Sequence, residues 1–267
     1  MCGICDIVNI DNPPVHLFTD EEYYRVIEGI YNGIINVNSL DVNTYKKIAK
    51  KLTDGVYLGF KKSISDVLYN SPDYTMLRDL RENVYIFSGA KTYQQTKQVS
   101  ELLTTNDAIT SFSDFKYKAY DILKTYNEDY LRVEYNSSIA QAQTASQWMD
   151  IEDMKADFPM LKYHTVGDSR VRKTHQALDG IVRNVDDKFW SFYMPPNGWN
   201  CRCTVLQEGP EVKKTDLRGF TKPDDVPDIF MFNAGKDRII FSPKHPYFKV
   251  AQKDKKLAKR NFDLPMP

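Results

Sequence analysis

The sequence predicts an α+β protein: a helical N-terminal half containing one long helix, followed by a small α+β C-terminal domain. Two observations carry this expectation. From Ala90 to Phe158 there is neither glycine nor proline, whereas ten prolines and six glycines fall between Pro159 and the end of the chain. Those residues punctuate turns and interrupt helices, so their absence permits long helices and their density marks a turn-rich fold. The second observation is a stripe at Phe115, Ala119, Ile122, Tyr126, Tyr130, Val133, Ser137, Ala140, Thr144 and Trp148. Steps of three or four residues place it on one helix face. The resulting division is a mainly helical region over 1–157, an α+β domain over 158–250 and a basic tail over 251–267.

In chain order, helices are expected over Glu21–Asn36, Val42–Leu52 and Tyr74–Leu103, the last open to interruption at Gly89. Ser113 can cap the long helix by accepting from an otherwise unpaired N–H. Continued to Met149, that helix would be about 55 Å long. The chain has 17 tyrosines; many flank apolar positions in these helices, where large aromatics usually pack inward. In the second half, Asp168–Leu178 reads as a short helix closed by Asp179-Gly180. Strands are expected over Ile181–Asn184, Cys201–Leu206 and Arg238–Phe241. Pro195-Pro196-Asn197-Gly198 forms a turn cluster, and Pro223, Pro227, Pro243 and Pro246 keep the remaining connections irregular.

Composition excludes several classes. No run of about 18 apolar residues exists, so no bilayer-spanning helix is expected. The first residues lack a basic stretch followed by an apolar one, so no secretory signal is expected. Four cysteines among 267 residues are too few for a disulfide scaffold and point to a reducing compartment. The 36 basic and 36 acidic side chains cancel to a net charge of zero, which by itself argues against contact with nucleic acid. Yet Lys236–Arg260 carries +7 and the rest of the chain −7. Lys249, Lys253, Lys255, Lys256, Lys259 and Arg260 are therefore candidates for contact with double-stranded DNA or an acidic protein face. A solvated helix end that only aids solubility has the same composition.

The residues that could carry chemistry cluster in the second half. On a strand, Cys201 and Cys203 point to one face, with Arg202 on the other. Thiolates and imidazoles together suit zinc, and His164, His175 and His245 are the histidines available. The candidate metal set is His175, Cys201, Cys203 and His245. The alternative is two buried cysteines acting as small hydrophobes. Asp168 and Arg172 have the i, i+4 spacing of a helical ion pair, and His175 on the same stripe also fits a hydrogen-bonded core residue. Trp199 is expected to cover the second core. At the N-terminus, Cys2 could serve as a nucleophile once Met1 is removed, and Cys2 with Cys5 could form a redox or metal pair; a mobile terminus accounts for both equally. No phosphate-cradling glycine loop and no Gly-x-Ser-x-Gly elbow is present, and no catalytic constellation is identified.

Longer patterns resemble a known family. Asp168-Ser-Arg-Val-Arg-Lys-Thr-His175-Gln-Ala-Leu-Asp-Gly180 is followed by Asp187-Lys-Phe-Trp190, by Pro195-Pro-Asn-Gly-Trp-Asn-Cys-Arg-Cys203 and by Phe241-Ser-Pro-Lys-His-Pro-Tyr-Phe248. With the preceding Tyr126–Tyr135 and Ala140–Trp148 segments, these resemble the phage Mu F-like head morphogenesis family, the minor head proteins of tailed phages, over roughly Tyr85 to Val250. The family positions carried over are Asp168, Arg170, Arg172, His175, Gly180, Trp190, Pro196, Trp199, Cys201, Arg202, Cys203, His245 and Pro246. The resemblance implies a non-enzymatic virion head component, made in the host cytoplasm. Its partners would be the portal or major capsid protein and packaged double-stranded DNA, with no membrane. The rival reading is a metal-dependent hydrolase or nuclease built on the histidines and cysteines.

Overall fold

The architecture was read from a computed structural model that describes residues 16–105, 108–220 and 226–267. Their contacts divide into two compact units, neither contiguous in sequence. A helical unit comprises 16–54, Arg81–Tyr135 and His245–Pro267, and a sheet unit comprises Gly55–Leu80 and Asn136–Lys244.

The helical unit begins with α1, Asp20–Tyr31, where Thr19 and Glu22 form a reciprocal capping box. That arrangement satisfies two backbone donors that a helix start leaves unpaired. The helix stops before the expected Asn36, because Asn32 caps it and Gly33 turns into the left-handed region. Its apolar face, with Tyr23, Val26, Ile27 and Ile30, packs with Val99, Phe115, Ala119 and Leu123. Helix α2, Val42–Phe60, runs beyond the expected Leu52. Its continuation buries Val56 and Phe60 in step with Leu52, and that apolar spacing outweighs the intrinsic cost of Gly55 and Gly59. Helix α3, Pro72–Ser100, passes through Gly89 without interruption. A Cβ at Gly89 would collide with the Asn261 side chain, so this glycine permits close packing.

After a short hairpin of β1, Thr104–Thr105, and β2, Ala108–Ile109, the long helical stretch is present in three parts. Helix α4, Phe112–Lys124, leads into a π-helical turn at Thr125–Tyr130 and then into α5, Leu131–Met154. The cap is Ser111, which accepts from the Asp114 N–H, two residues before the expected Ser113. The π turn inserts an extra residue and rotates the face that follows. The buried positions there are Leu123, Asn127, Leu131, Glu134 and Ser138, rather than the expected Ile122, Tyr126, Tyr130 and Val133. The expected register returns in α5, where Thr144 and Trp148 are buried.

In the sheet unit, β3 (Met160–His164) lies between β4 (Val182–Asn184) and β5 (Thr204–Glu208), antiparallel to both. Trp148 and Ile151 of α5 join Leu161, Tyr163, Trp190 and Val205 in its core. Sequence patterning does not identify β3, although it is the central strand. Strand β5 starts at Thr204, so Cys201–Cys203 form an extended lead-in to it. The expected strand at Arg238–Phe241 is absent. There Asn233 caps the short helix α8, Ala234–Asp237, and Arg238 ends it in the left-handed region, leaving no extended run. The expected helix over Asp168–Leu178 shrinks to α6, Lys173–Gln176. The Asp168 carboxylate accepts from the Arg170 N–H, a local turn that competes with helix. The remaining short helix, α7, covers Trp190–Tyr193. None of the helices among the described residues is long and apolar enough to cross a membrane.

Gly59 shows how tightly this unit packs. A Cβ there would run into the Ile139 carbonyl of α5, a backbone group with no room to retreat. Gly59→Ala is expected to destabilise the protein by about 1–3 kcal/mol, read as a lowered urea midpoint.

Candidate functional site

The sheet unit brings His175, Cys201 and Cys203 together inside its core. Helix α6 presents the imidazole, and the extended lead-in to β5 presents both sulfurs. His175 Nδ1 lies 3.6 Å from Cys201 Sγ and 3.6 Å from Cys203 Sγ. All three side chains are buried, and the three donor atoms lie within 4.8 Å of one another. The Cys203 thiol hydrogen-bonds to Cys201, and with His175 alongside this holds Cys201 well below the usual thiol range. Cys203 is pushed up by the same hydrogen bond and by burial. The Tyr163 hydroxyl, itself buried, reaches the Cys203 sulfur and donates to Asn197 Oδ1 at 2.9 Å. Two thiols and an imidazole form a donor set suited to zinc.

Loops around the cluster are tied down from several directions. The Thr144 hydroxyl donates to Pro195 O at 2.8 Å, and Gln147 Nε2 donates to Val205 O at 3.0 Å. The Pro195-Pro196 peptide is cis. Arg202 makes a two-pronged pair with Asp168, at 2.7 and 2.6 Å. The expected Asp168–Arg172 pair does not form, because Asp168 precedes the helix; Arg172 donates instead to Trp199 O at 2.7 Å. Arg170 is exposed beside Asp168. Gly180 has φ +76°, a conformation that favours glycine, and its N–H donates to Tyr163 O. The Trp190 indole donates to Asn184 O. Trp199, half-buried, meets Phe230 edge-on at 4.9 Å. His164 is exposed at the end of β3. Cys2 and Cys5 lie outside the described residues.

His245 stands in a different setting, in the helical unit. As cap of the turn Pro246–Phe248, its Nδ1 accepts from the Tyr247 N–H at 3.3 Å. Its ring meets Phe87 and Tyr247 edge-on at 5.0 and 4.5 Å. Burial, with Lys91 nearby, pushes its pKa down to about 4. Lys91 is completely buried and pairs with Glu134 at 2.6 Å. The other Glu134 oxygen accepts from the Tyr247 hydroxyl at 2.9 Å. The Lys91 ammonium also lies 5.7, 6.0 and 5.5 Å from the ring centres of Tyr126, Tyr130 and Tyr247. Neither Lys91 nor Glu134 is visible as a site in the sequence, because each looks like an ordinary helix-surface charge.

The basic C-terminal segment is folded. The Tyr93 hydroxyl donates to buried Asp254 at 2.8 Å, and Phe262 stacks on the Tyr93 ring at 4.9 Å. Gln94 Nε2 holds the carbonyls of Tyr247 and Lys249. Short helix α9, Lys255–Ala258, lies between these anchors. Lys249, Lys253, Lys255, Lys256, Lys259 and Arg260 are all exposed, and Arg260 pairs with Asp263 at 3.0 Å.

Comparison with known proteins connects these features. A relative from Escherichia phage Mu, named "Putative capsid assembly protein F", is 38% identical over 71 residues, which are 27% of this chain and 16% of that protein. The Mu-like prophage FluMu F protein of Haemophilus influenzae is 36% identical over 75 residues, 28% of this chain and 17% of its own length. The matched stretch thus spans about one sixth of each relative. No solved structure matches the chain. The family described as Phage Mu protein F like protein matches residues 43–206. That match starts well before Tyr85, where the sequence resemblance begins, and ends before the Phe241–Phe248 segment. It includes His175, Cys201 and Cys203 and covers more than half of the chain, so this chain belongs to the Phage Mu protein F like family.

Proposed function

We propose that the chain is a minor head protein that acts in phage head assembly near the portal and meets packaged DNA through its basic C-terminal segment. The observation that carries this reading is the family match over residues 43–206, with a relative named for capsid assembly. The folded basic segment supports the DNA contact. Its exposed lysines sit on a scaffold anchored by Asp254 and Phe262, so little ordering entropy is lost when they meet phosphates. The portal or major capsid protein is the partner that this role requires, in the virion head after assembly in the host cytoplasm. The reading fails if the protein is absent from purified virions and deletion of its gene leaves particles and DNA packaging normal.

Changing Lys253, Lys255, Lys256 and Lys259 to alanine together tests the DNA contact. The slope of log affinity against log salt on double-stranded DNA is expected to become shallower by about 2–4, measured by gel retardation. An unchanged slope rejects the segment as the DNA contact. The rival reading, a metal-dependent hydrolase or nuclease, has less support. The cavity beside the His175–Cys201–Cys203 cluster is about 20 Å³, room for one water and too little for a phosphodiester.

A further inference from the structure

We propose that His175, Cys201 and Cys203 bind one zinc ion, with a water completing the coordination, and that this ion staples α6 to the lead-in of β5. The argument is geometric. Zinc–sulfur bonds of about 2.3 Å and zinc–nitrogen bonds of about 2.05 Å, at tetrahedral angles, place sulfur and nitrogen about 3.6 Å apart. Both sulfur–nitrogen separations in the cluster are 3.6 Å. The same imidazole nitrogen, Nδ1, faces both sulfurs, so a single ion between them meets all three donors.

The surroundings fit as well. A cavity of about 20 Å³, bordered by Val166, Val171, Arg172 and Asn200, adjoins the three donors. It suits one water as fourth ligand, the arrangement of a zinc site with three protein donors. Tyr163 supplies an outer hydrogen bond to Cys203 and is itself fixed by Asn197. Such outer contacts orient metal ligands. Anchors from Thr144 and Gln147 hold the backbone on either side of the two cysteines, so the donors are fixed by the fold around them. Binding replaces the remaining thiol protons with the metal and releases them to solvent; no oxidant or reductant is involved.

The test uses the full chain, purified reduced, given an excess of zinc chloride and then gel-filtered. Elemental analysis is expected to find one zinc per chain, falling at least about tenfold in the Cys201→Ser/Cys203→Ser variant. Wild-type protein that retains no zinc overturns the proposal. Because the variant could fail to fold, cobalt(II) titrated into the wild-type chain gives a second readout. Strong thiolate-to-cobalt charge-transfer absorption with tetrahedral ligand-field bands is expected, saturating at one equivalent and displaced by zinc. Weak octahedral bands without the charge-transfer feature would mean the ion sits elsewhere and would overturn the assignment. A third arm uses a chelator, which is expected to lower the unfolding midpoint of the zinc-loaded chain and leave the Cys201→Ser/Cys203→Ser variant unmoved. Equal lowering in both overturns the stapling role.

Discussion

Lys91→Met is expected to destabilise the protein by about 3–5 kcal/mol, the cost of leaving a buried charge without its partner. Lys91 is fully buried and Glu134 is 2% exposed, so neither can turn to solvent when the other is removed. Glu134 would keep only the Tyr247 hydroxyl as hydrogen-bond donor on its carboxylate. Burial already pushes the Lys91 pKa down, opposed by Glu134, so the ammonium depends on that one carboxylate. Removing the whole network should cost far less than removing one member. Lys91→Met combined with Glu134→Leu restores electrical balance, and Tyr247→Phe removes the hydroxyl that would otherwise be orphaned. Replacing such a buried set with apolar groups is often neutral or stabilising. The triple variant should therefore recover most of the loss, whereas additive losses would show that the three groups act independently. Helical circular dichroism during urea unfolding is the suitable probe. All three tryptophans, Trp148, Trp190 and Trp199, lie in the sheet unit, so fluorescence would report the other unit.

This network also marks where sequence reading loses the helical half. The uninterrupted run from Ala90 to Phe158 and the steps of three and four residues correctly indicate long helices. They fail in the middle of the stripe because pattern reading assigns apolar residues inward. At the π turn, Asn127 and Glu134 are the buried positions, with Asn127 donating to Gln95 at 2.9 Å and Glu134 pairing with Lys91. Polar residues can occupy a core when their partners are present, and those partners come from α3, about 30 to 40 residues away. No local pattern announces them. The sheet unit differs in the same way. The spacing of Cys201 and Cys203 places both sulfurs on one side, and the structure adds the one histidine, His175, whose helix sets it against them. The Asp168–Arg172 spacing indicates a pair only if both residues are helical, and the turn at Asp168 redirects its carboxylate to Arg202. The +7 segment is legible as charge, but its folding is not. Its anchors, Asp254 and Phe262, are isolated residues that meet Tyr93 only in the folded chain.

Acidification should weaken the helical unit before most carboxylates are protonated, and His245 is the residue responsible. Its pKa falls from 6.5 to about 4 because burial disfavours the imidazolium and Lys91 repels it. The groups facing it are Phe87 and Lys91 from α3 and Tyr247 from its own turn, with Glu134 held between Lys91 and Tyr247. Protonation would also convert Nδ1 from acceptor to donor and so break the cap on the Tyr247 N–H. Between pH 6.5 and 4 the unfolded chain binds the proton and the folded chain does not. Stability from this group is therefore fully present above pH 6.5 and declines as pH falls, reaching a loss of about 3 kcal/mol near pH 4. His245→Asn isolates the effect, since asparagine retains a capping oxygen without a titrating group. Urea unfolding of wild type and variant at several pH values between 7 and 4 is the measurement. The wild-type advantage, if any, at pH 7 should shrink or reverse toward pH 4, and parallel pH profiles for the two proteins would reject His245 as the acid-sensitive group.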